Sequence, residues 1–373
     1  MSRQPRRRRP RGRSRVGERF TVTVGPVAHG GHCVARVGDG DGSRVVFVRH
    51  ALPGEEVDLV VTEGTDGDRF WRGDAVAVHR ASEDRVAAPC PYAGPGLCGG
   101  CDFQHVALAA QRRLKADVVR EQLHRLAGLD VAVEVEPVPG DDHGLRWRTR
   151  QRYVRLPDGG RGMRKHRSHD VVPIDECLLE ARSGPSHEVR GRRFAVADDG
   201  FWQVHPGAPD VLVSAVLDLA RPQPRESVLD LYAGVGLFAS FLADAVGPDG
   251  RVVAVEGNRA AAQAARVNLA DRAEVTTGAV DAVLDSAYIE RVDLVVLDPP
   301  REGARRRVVE QVVARSPRAV VYVACDPAAL ARDVAVFAEH GYALRALRAF
   351  DLFPMTHHVE CVALLTKTAS DLR

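Results

Sequence analysis

The chain has 373 residues, 45% hydrophobic and 27% charged, a composition of globular proteins with room for two or three separately buried cores. No apolar run reaches the length of a membrane span and the N-terminus carries no apolar stretch of the secretory kind, so a cytoplasmic protein without a membrane partner is expected. The net charge of +2 hides an asymmetry: residues 1–15 hold eight Arg and no acid, which leaves 44 basic against 50 acidic side chains elsewhere.

Residues 1–15 therefore read as a disordered basic tail suited to polyanions. The whole chain, however, uses three Lys against 49 Arg, so a compositional bias explains the block as well as a nucleic-acid partner does. Residues 16–80 follow with short alternating runs (Phe20 to Val24, Val45 to Val48, Val57 to Val61, Asp74 to Val78) separated by Gly-rich turns. This spacing predicts a small β-barrel, a fold used both for oligonucleotide binding and for purely structural purposes.

A central domain is expected over 81–205, α+β in character. It opens with a Pro/Gly/Cys cluster holding Cys90, Cys98 and Cys101, continues with a helix over roughly 104–127 that could pack on the C-terminal domain, and then turns to β structure. In Arg146-Trp-Arg-Thr-Arg-Gln-Arg-Tyr-Val-Arg155, Arg alternates with Trp147 and Tyr153 interleaved, which suits either an RNA-facing strand or a solvated edge. From 206 to 373 apolar strands alternate with helices (Ser227 to Tyr232, Arg251 to Glu256, Val292 to Leu297, Ala319 to Ala324), the pattern of an α/β doubly wound sheet.

Ligand chemistry gathers at the ends of those strands. Asp230-Leu-Tyr-Ala-Gly-Val-Gly-Leu-Phe238 ends a strand and opens a helix, with Gly234 and Gly236 allowing a tight turn and close approach of a ligand. Glu256 closes the next strand and is placed to accept ribose hydroxyls. The third Gly of a dinucleotide fingerprint is absent, and Asp298-Pro-Pro-Arg301 ends a later strand, so S-adenosylmethionine is favoured over a dinucleotide. Asp281 is either an adenine contact or an ordinary loop acid.

Cys325 stands between a strand and a helix opened by Pro327; the helix N-terminus would favour its thiolate and so its use as a nucleophile. Glu360 lies inside an apolar strand, where desolvation raises a carboxylate towards the range of a useful base. Cys361 projects to the opposite side of that strand and, like Cys33, reads as packing. In a chain without an export signal, the thiols of Cys90, Cys98, Cys101 and Cys177 suit zinc or an iron–sulfur cluster, and their spacing does not choose between these.

Taken together, Gly-Val-Gly after Asp-Leu-Tyr, Asp298-Pro-Pro-Arg301, Cys325-Asp-Pro-x-x-Leu-Ala-Arg-Asp333 and His358-Val-Glu-Cys-Val362 resemble the RNA (uracil-5-)-methyltransferase family. The N-terminal part resembles its TRAM domain, and the four cysteines resemble the iron–sulfur ligands of its 23S rRNA branch. The resemblance implies a Rossmann-like methyltransferase domain, Cys325 as nucleophile and Glu360 as base. It further implies S-adenosylmethionine bound by Gln203, Tyr232, Gly234, Gly236, Glu256, Asp281 and Asp298, and a 4Fe–4S cluster on Cys90, Cys98, Cys101 and Cys177, with zinc as the alternative. The expected partner is RNA, rRNA before tRNA, and the expected state a monomer; a non-catalytic RNA-binding protein with a degenerate fold is the other reading. Three positions depart from the family: Asp326 and His205 where Asn is usual, and Leu237 where some members have a polar residue.

Overall fold

The structure, a computed structural model, describes residues 12–38, 43–286 and 291–368. The first eleven residues of the expected basic tail lie outside the described residues. Residues 13–15, assigned to the same tail, pair instead with the turn at Gly64 and Thr65: Ser14 bridges Thr65, and the Arg15 N–H donates to the Gly64 carbonyl at 3.0 Å. The Arg15 side chain pairs with Asp66 and Glu18, which fixes a segment that composition alone marks as free.

The chain divides into two compact units. The first opens with a six-stranded sheet: β1 (Arg19–Thr23), β2 (Val27–Ala28), β3 (His32–Val37), β4 (Arg44–Arg49), β5 (Glu56–Glu63) and β6 (Phe70–Arg80). They are ordered β1-β5-β6-β4-β3-β2, and pair antiparallel except for β4 with β6. The period of two drives one face inward: Val46, Val48, Val57, Leu59, Val61 and Trp71 are buried, and so is Cys33. Strands β2 and β3 were not marked by the sequence pattern: β2 has two residues, and β3 follows the Gly30-Gly31 turn and opens on His32 and Cys33.

Helix α1 (Leu108–Ala127) starts in this unit, and from Lys115 onward belongs to the second. There Ala116, Val119 and Leu123, three and four residues apart, enter the core with Val133 and Val135 of the segment that carries β7 (Val135–Pro137). The first unit also holds a three-stranded sheet, β8 (Val154–Arg155), β9 (Arg161–Arg164) and β10 (Val171–Pro173). Residues 81–205 are thus shared between the two units.

The basic stretch from Arg146 is a correction to the expected strand. Arg146 has a left-handed backbone (φ 58°), and the Arg146 and Arg148 N–H groups donate to the carbonyls of Leu178 and Leu179 in an irregular crossing. Trp147 is buried rather than presented to RNA.

In the second unit the hairpin β11 (Glu188–Val189) and β12 (Arg192–Arg193) precedes the α/β domain. That domain runs α2 (Ala208–Ala220), β13 (Ser227–Leu231), α3 (Leu237–Val246), β14 (Arg251–Glu256), α4 (Arg259–Leu269), β15 (Glu274–Thr277), α5 (Val280–Ser286), β16 (Leu294–Leu297), α6 (Arg305–Ala314), β17 (Ala319–Ala324), α7 (Pro327–Glu339), β18 (Tyr342–Asp351) and β19 (Glu360–Lys367). The sheet order is β15-β14-β13-β16-β17-β19-β18-β7, with β19 antiparallel to both neighbours. Apolar layers cover both faces, which is why β16 and β17 read as unbroken apolar runs. Strand order reverses between β13 and β16, the point where open α/β sheets bind ligands.

Candidate active site

One face of the sheet's ligand edge collects the chemistry. Val228, Ala254, Val296, Val323 and Val362 all belong to one core layer. Continuing their two-residue alternation sends Asp230, Glu256, Asp298, Cys325 and Glu360 to that same side, on neighbouring strands in the order β14, β13, β16, β17, β19. Short strands ending together produce this row; no segment of the sequence contains it.

Ala324 of β17 is registered opposite Cys361 of β19, so one step further along the antiparallel pair Cys325 stands opposite Glu360. On its other side Glu360 is opposite Phe350 of β18. Glu360 is buried, and burial, reinforced by Asp298, pushes its carboxyl well above the usual range, with Arg301 opposing. Burial likewise pushes Asp298 up to about 7. The Cys325 thiol is pushed up to about 12 by burial first, then by the charges of Glu360 and Asp298, against Arg301. The expected thiolate is therefore corrected: in the free protein desolvation and two carboxyl neighbours outweigh the helix N-terminus, and Cys325 is a thiol. Arg301 also approaches His358, with Nη2 and Nε2 3.4 Å apart.

The turn from β13 into α3 builds the other half of the edge. Tyr232 is left-handed (φ 62°), unusual for an aromatic residue, and Gly234 (φ 56°) has nothing within 4 Å of where a side chain would start. The Glu256 carboxylate accepts the Gly234 N–H at 2.8 Å and the Asn258 N–H at 2.6 Å, holding the turn while keeping lone pairs for further donors. Asp230 is wholly buried. One of its oxygens accepts the Ala239 N–H at 2.8 Å, the other has no partner among the described residues, and burial pushes its carboxyl up to about 8.

Burial first, then the charges of Asp333 and Asp281, pushes the Tyr232 hydroxyl up to about 12. Asp281 is in the first turn of α5 with its carboxylate 3.7 Å from Arg307. Gln203 lies half-buried in an irregular segment beside buried Trp202 and His205. His205 is held neutral, burial pushing it down to about 4, and its Nδ1 accepts the Gly207 N–H at 3.2 Å. Two of the family departures have local reasons. Leu237 is core at the start of α3, and Asp326 caps α7 by accepting the Ala329 N–H at 2.8 Å, as Asn also would.

A supporting network escaped the sequence reading. One oxygen of Asp333, buried on α7, accepts from the Tyr322 hydroxyl (2.6 Å), the Ala304 N–H (2.7 Å) and the Arg305 N–H (3.2 Å). These bonds pin the loop that follows Asp298-Pro-Pro-Arg301. Gly303 has φ +83°, and a Cβ there would lie 2.6 Å from the Asp333 carboxylate, so the loop requires glycine. The one available signal was an acid within the apolar helix of the Cys325 motif.

In the first unit, the loop carrying Cys90, Cys98 and Cys101 is held against the β9–β10 hairpin. The Gly99 N–H donates to the Arg164 carbonyl at 2.9 Å, Cys98 bridges Lys165, and the Tyr92 hydroxyl donates to Asp175 at 2.8 Å. Gly99 lies so close to the backbone of His166 that a Cβ would meet its nitrogen at 2.4 Å. This brings Cys177, just beyond the hairpin, into the electrostatic field of the other three thiols. Among the described residues no group of three or more His, Cys, Asp or Glu side chains converges as metal ligands do. On the barrel, Phe47 and Phe70 meet edge to face at 5.1 Å, His32 lies against Phe47, and Arg72 sits 4.9 Å over the exposed Phe70.

The sheet order, its antiparallel β19 and the acidic glycine turn at the switch point define an α/β methyltransferase. The model of the family described as tRNA (Uracil-5-)-methyltransferase matches residues 186–368, and that of the TRAM domain residues 13–76. An uncharacterized RNA methyltransferase of Streptomyces avermitilis is 45% identical over 96% of this chain and 100% of its own. The 23S rRNA (uracil(1939)-C(5))-methyltransferase RlmD of Acinetobacter baylyi is 28% identical over 95% and 97%. The crystal structure of Pyrococcus abyssi tRNA (uracil-54, C5)-methyltransferase in complex with S-adenosyl-L-homocysteine shares the fold, with a TM-score of 0.65 and 22% identity over 92% of this chain and 99% of that one. The chain belongs to the RNA (uracil-5-)-methyltransferase family: it is an S-adenosylmethionine-dependent RNA methyltransferase of the uracil-5 type with an N-terminal TRAM domain. Among the described residues no helix is long and apolar enough to cross a membrane.

Proposed function

We propose that the protein methylates carbon-5 of a uridine in 23S rRNA through a covalent adduct on Cys325, with Glu360 as the base. The observation that carries this reading is the antiparallel register that sets Cys325 opposite Glu360 on the face that also bears Asp298. Carbon-5 of uracil is a weak nucleophile. The Cys325 sulfur gives its proton to solvent and bonds to carbon-6, and the electron pair of the carbon-5 to carbon-6 double bond moves towards the carbon-4 carbonyl as an enolate that is nucleophilic at carbon-5. S-adenosylmethionine, when bound, supplies an electrophilic methyl group, which carbon-5 takes with release of the thioether product. Glu360 as carboxylate then removes the carbon-5 proton; that electron pair restores the carbon-5 to carbon-6 double bond, and the bond from carbon-6 to Cys325 breaks to return the thiolate. Burial pushes the Glu360 carboxyl well above the usual carboxylate range, so this step draws on its carboxylate form with substrate bound.

For the cofactor, the fit rests on the open approach at Gly234, the unpartnered buried oxygen of Asp230 and the spare lone pairs of Glu256. In this reading Glu256 takes the ribose hydroxyls, Asp281 faces the adenine, and Gln203, Tyr232, Gly236 and Asp298 line the remainder. The thiols of Cys90, Cys98, Cys101 and Cys177 match a 4Fe–4S cluster in number and chemistry, and serve a structural or RNA-positioning purpose. Zinc is the other occupant such a donor set accepts; brown protein with broad absorbance near ~400 nm supports iron–sulfur, and colourless protein with stoichiometric zinc refutes it.

Preference for rRNA over tRNA is supported by the cysteine quartet and by a near-full-length likeness to an enzyme named for 23S rRNA. Methyl transfer from labelled S-adenosylmethionine to 23S rRNA fragments and to tRNA transcripts, with mapping of 5-methyluridine, tests it. Modification of tRNA alone overturns the rRNA assignment, and binding of cofactor without any transfer favours a degenerate, non-catalytic protein.

A further inference from the structure

Lys115 is a buried cation bonded to the segment that leads into β19. Its ammonium donates to Asp351 at 2.5 Å and to the Phe353 carbonyl at 3.0 Å, and the two charged side chains are 0% and 2% exposed. Asp351 is the last residue of β18, one step beyond Phe350, which is registered opposite Glu360. Phe353 packs edge-on against buried Trp147 at 5.9 Å and against His358 at 5.8 Å. One nitrogen thus ties α1 to the end of β18 and to the first turn of the irregular 352–359 connection, from which β19 begins at Glu360.

The residue type carries information. The chain uses Lys three times and Arg 49 times, yet a lysine occupies this position. A single ammonium serves two acceptors from a point, whereas the planar fork of a guanidinium is longer and needs more room than a fully buried site offers. A pair buried this completely gives weak net stability compared with apolar residues of the same volume. Its distinctive contribution is directional: it fixes where the backbone leaves β18.

We propose that Lys115 and Asp351 are positioning residues for the base, a reading that rests on Glu360 acting in the release step. Cys325 enters from β17 and α7, whereas the bonds of Lys115 run to the end of β18 and the connection after it, so forming the adduct and releasing it should respond differently. The test is the full-length Lys115→Met/Asp351→Leu variant, which removes both charges together, run beside Glu360→Gln. Denaturant-stable RNA adducts and methylated product are followed in single turnovers. The expected result is adduct formation near the wild-type rate with release slowed by about tenfold or more, since a displacement near 1 Å is worth up to about a hundredfold. Lys115→Arg should not restore release.

Formation and release falling together, or neither changing, overturns the inference while leaving the base assignment to the Glu360→Gln result. Release at the wild-type rate in Glu360→Gln removes the base assignment, and the inference with it. Should the double variant fold poorly, Asp351→Asn read by amide exchange at residues 359–361 replaces it. Faster exchange there supports the positioning reading, and unchanged exchange overturns it.

Discussion

Cys325 and Glu360 face each other across an antiparallel strand pair, each the first residue beyond the last registered pair, Ala324 with Cys361, or at its strand's start. Cys325 sits at the end of a parallel-sheet strand and Glu360 at the beginning of the antiparallel strand beside it. Burial raises the proton affinity of both side chains above the ordinary range. Replacing Cys325 by Ala should abolish turnover and RNA adducts together, while Glu360→Gln should accumulate a methylated adduct. Denaturing electrophoresis with labelled RNA and labelled methyl groups separates the two; full activity of Cys325→Ala sinks the covalent mechanism.

The buried acids also set how stability varies with pH. Asp230 binds its proton in the folded state at about 8 against an ordinary 3.8, and Asp298 at about 7. Their protonated forms favour the folded state, so stability is lost as pH rises through these values. Burial keeps His32, His105, His166 and His205 near 4 and His50 near 3, below an ordinary 6.5, and their contribution rises with pH and is complete by about 6.5. Between 6.5 and 8 the acids act without that opposition. The melting temperature of the ligand-free protein is expected to fall across this interval, and Asp230→Asn to flatten the fall.

Gly303 makes the loop behind Asp298 possible. Gly303→Ala should destabilise by about 1–2 kcal/mol from the left-handed backbone alone, with more from the approach to Asp333. Asp333→Asn, which weakens charge-assisted bonds to Tyr322 and two backbone N–H groups, should cost about 1–3 kcal/mol. Urea unfolding measures both. An unchanged midpoint in both variants would show that the network does not support the site.

On the barrel, Phe70 with Arg72 above it offers a stacking surface to an unpaired base. Phe70→Ala should weaken single-stranded RNA binding by about 1–3 kcal/mol, and leave S-adenosylhomocysteine affinity unaltered in calorimetry. Val267→Ala, at an exposed position on α4, is the control. Equal RNA affinity for wild type and Phe70→Ala removes the barrel face from the interface.

Much of the fold was legible because its signals are local. The strands β13, β14, β16 and β17 are apolar runs, the glycine turn is a short motif, and Asp326 with Pro327 marks the start of α7. Other features depend on what arrives from a distance. The basic alternation from Arg146 looked like a strand, but Arg146 turns left-handed and Trp147 enters the core. Cys325 looked like a thiolate beside a helix end, because no sequence pattern reports that two buried carboxyls share its surroundings. Asp333 and Lys115 gave almost no sequence signal of their own, since a buried polar residue is recognised only by its partners.

The sequence by itself determined the family and the doubly wound sheet and pointed to the candidate reactive groups, since residue type and spacing along one strand or turn carry that information. Only the tertiary structure decided that Cys325 meets Glu360, that burial pushes both groups above their ordinary ranges, and that Asp298, Glu256 and Asp230 share their face. Strand order and register, which no local pattern contains, bring those side chains to one edge, and burial there changes their chemistry.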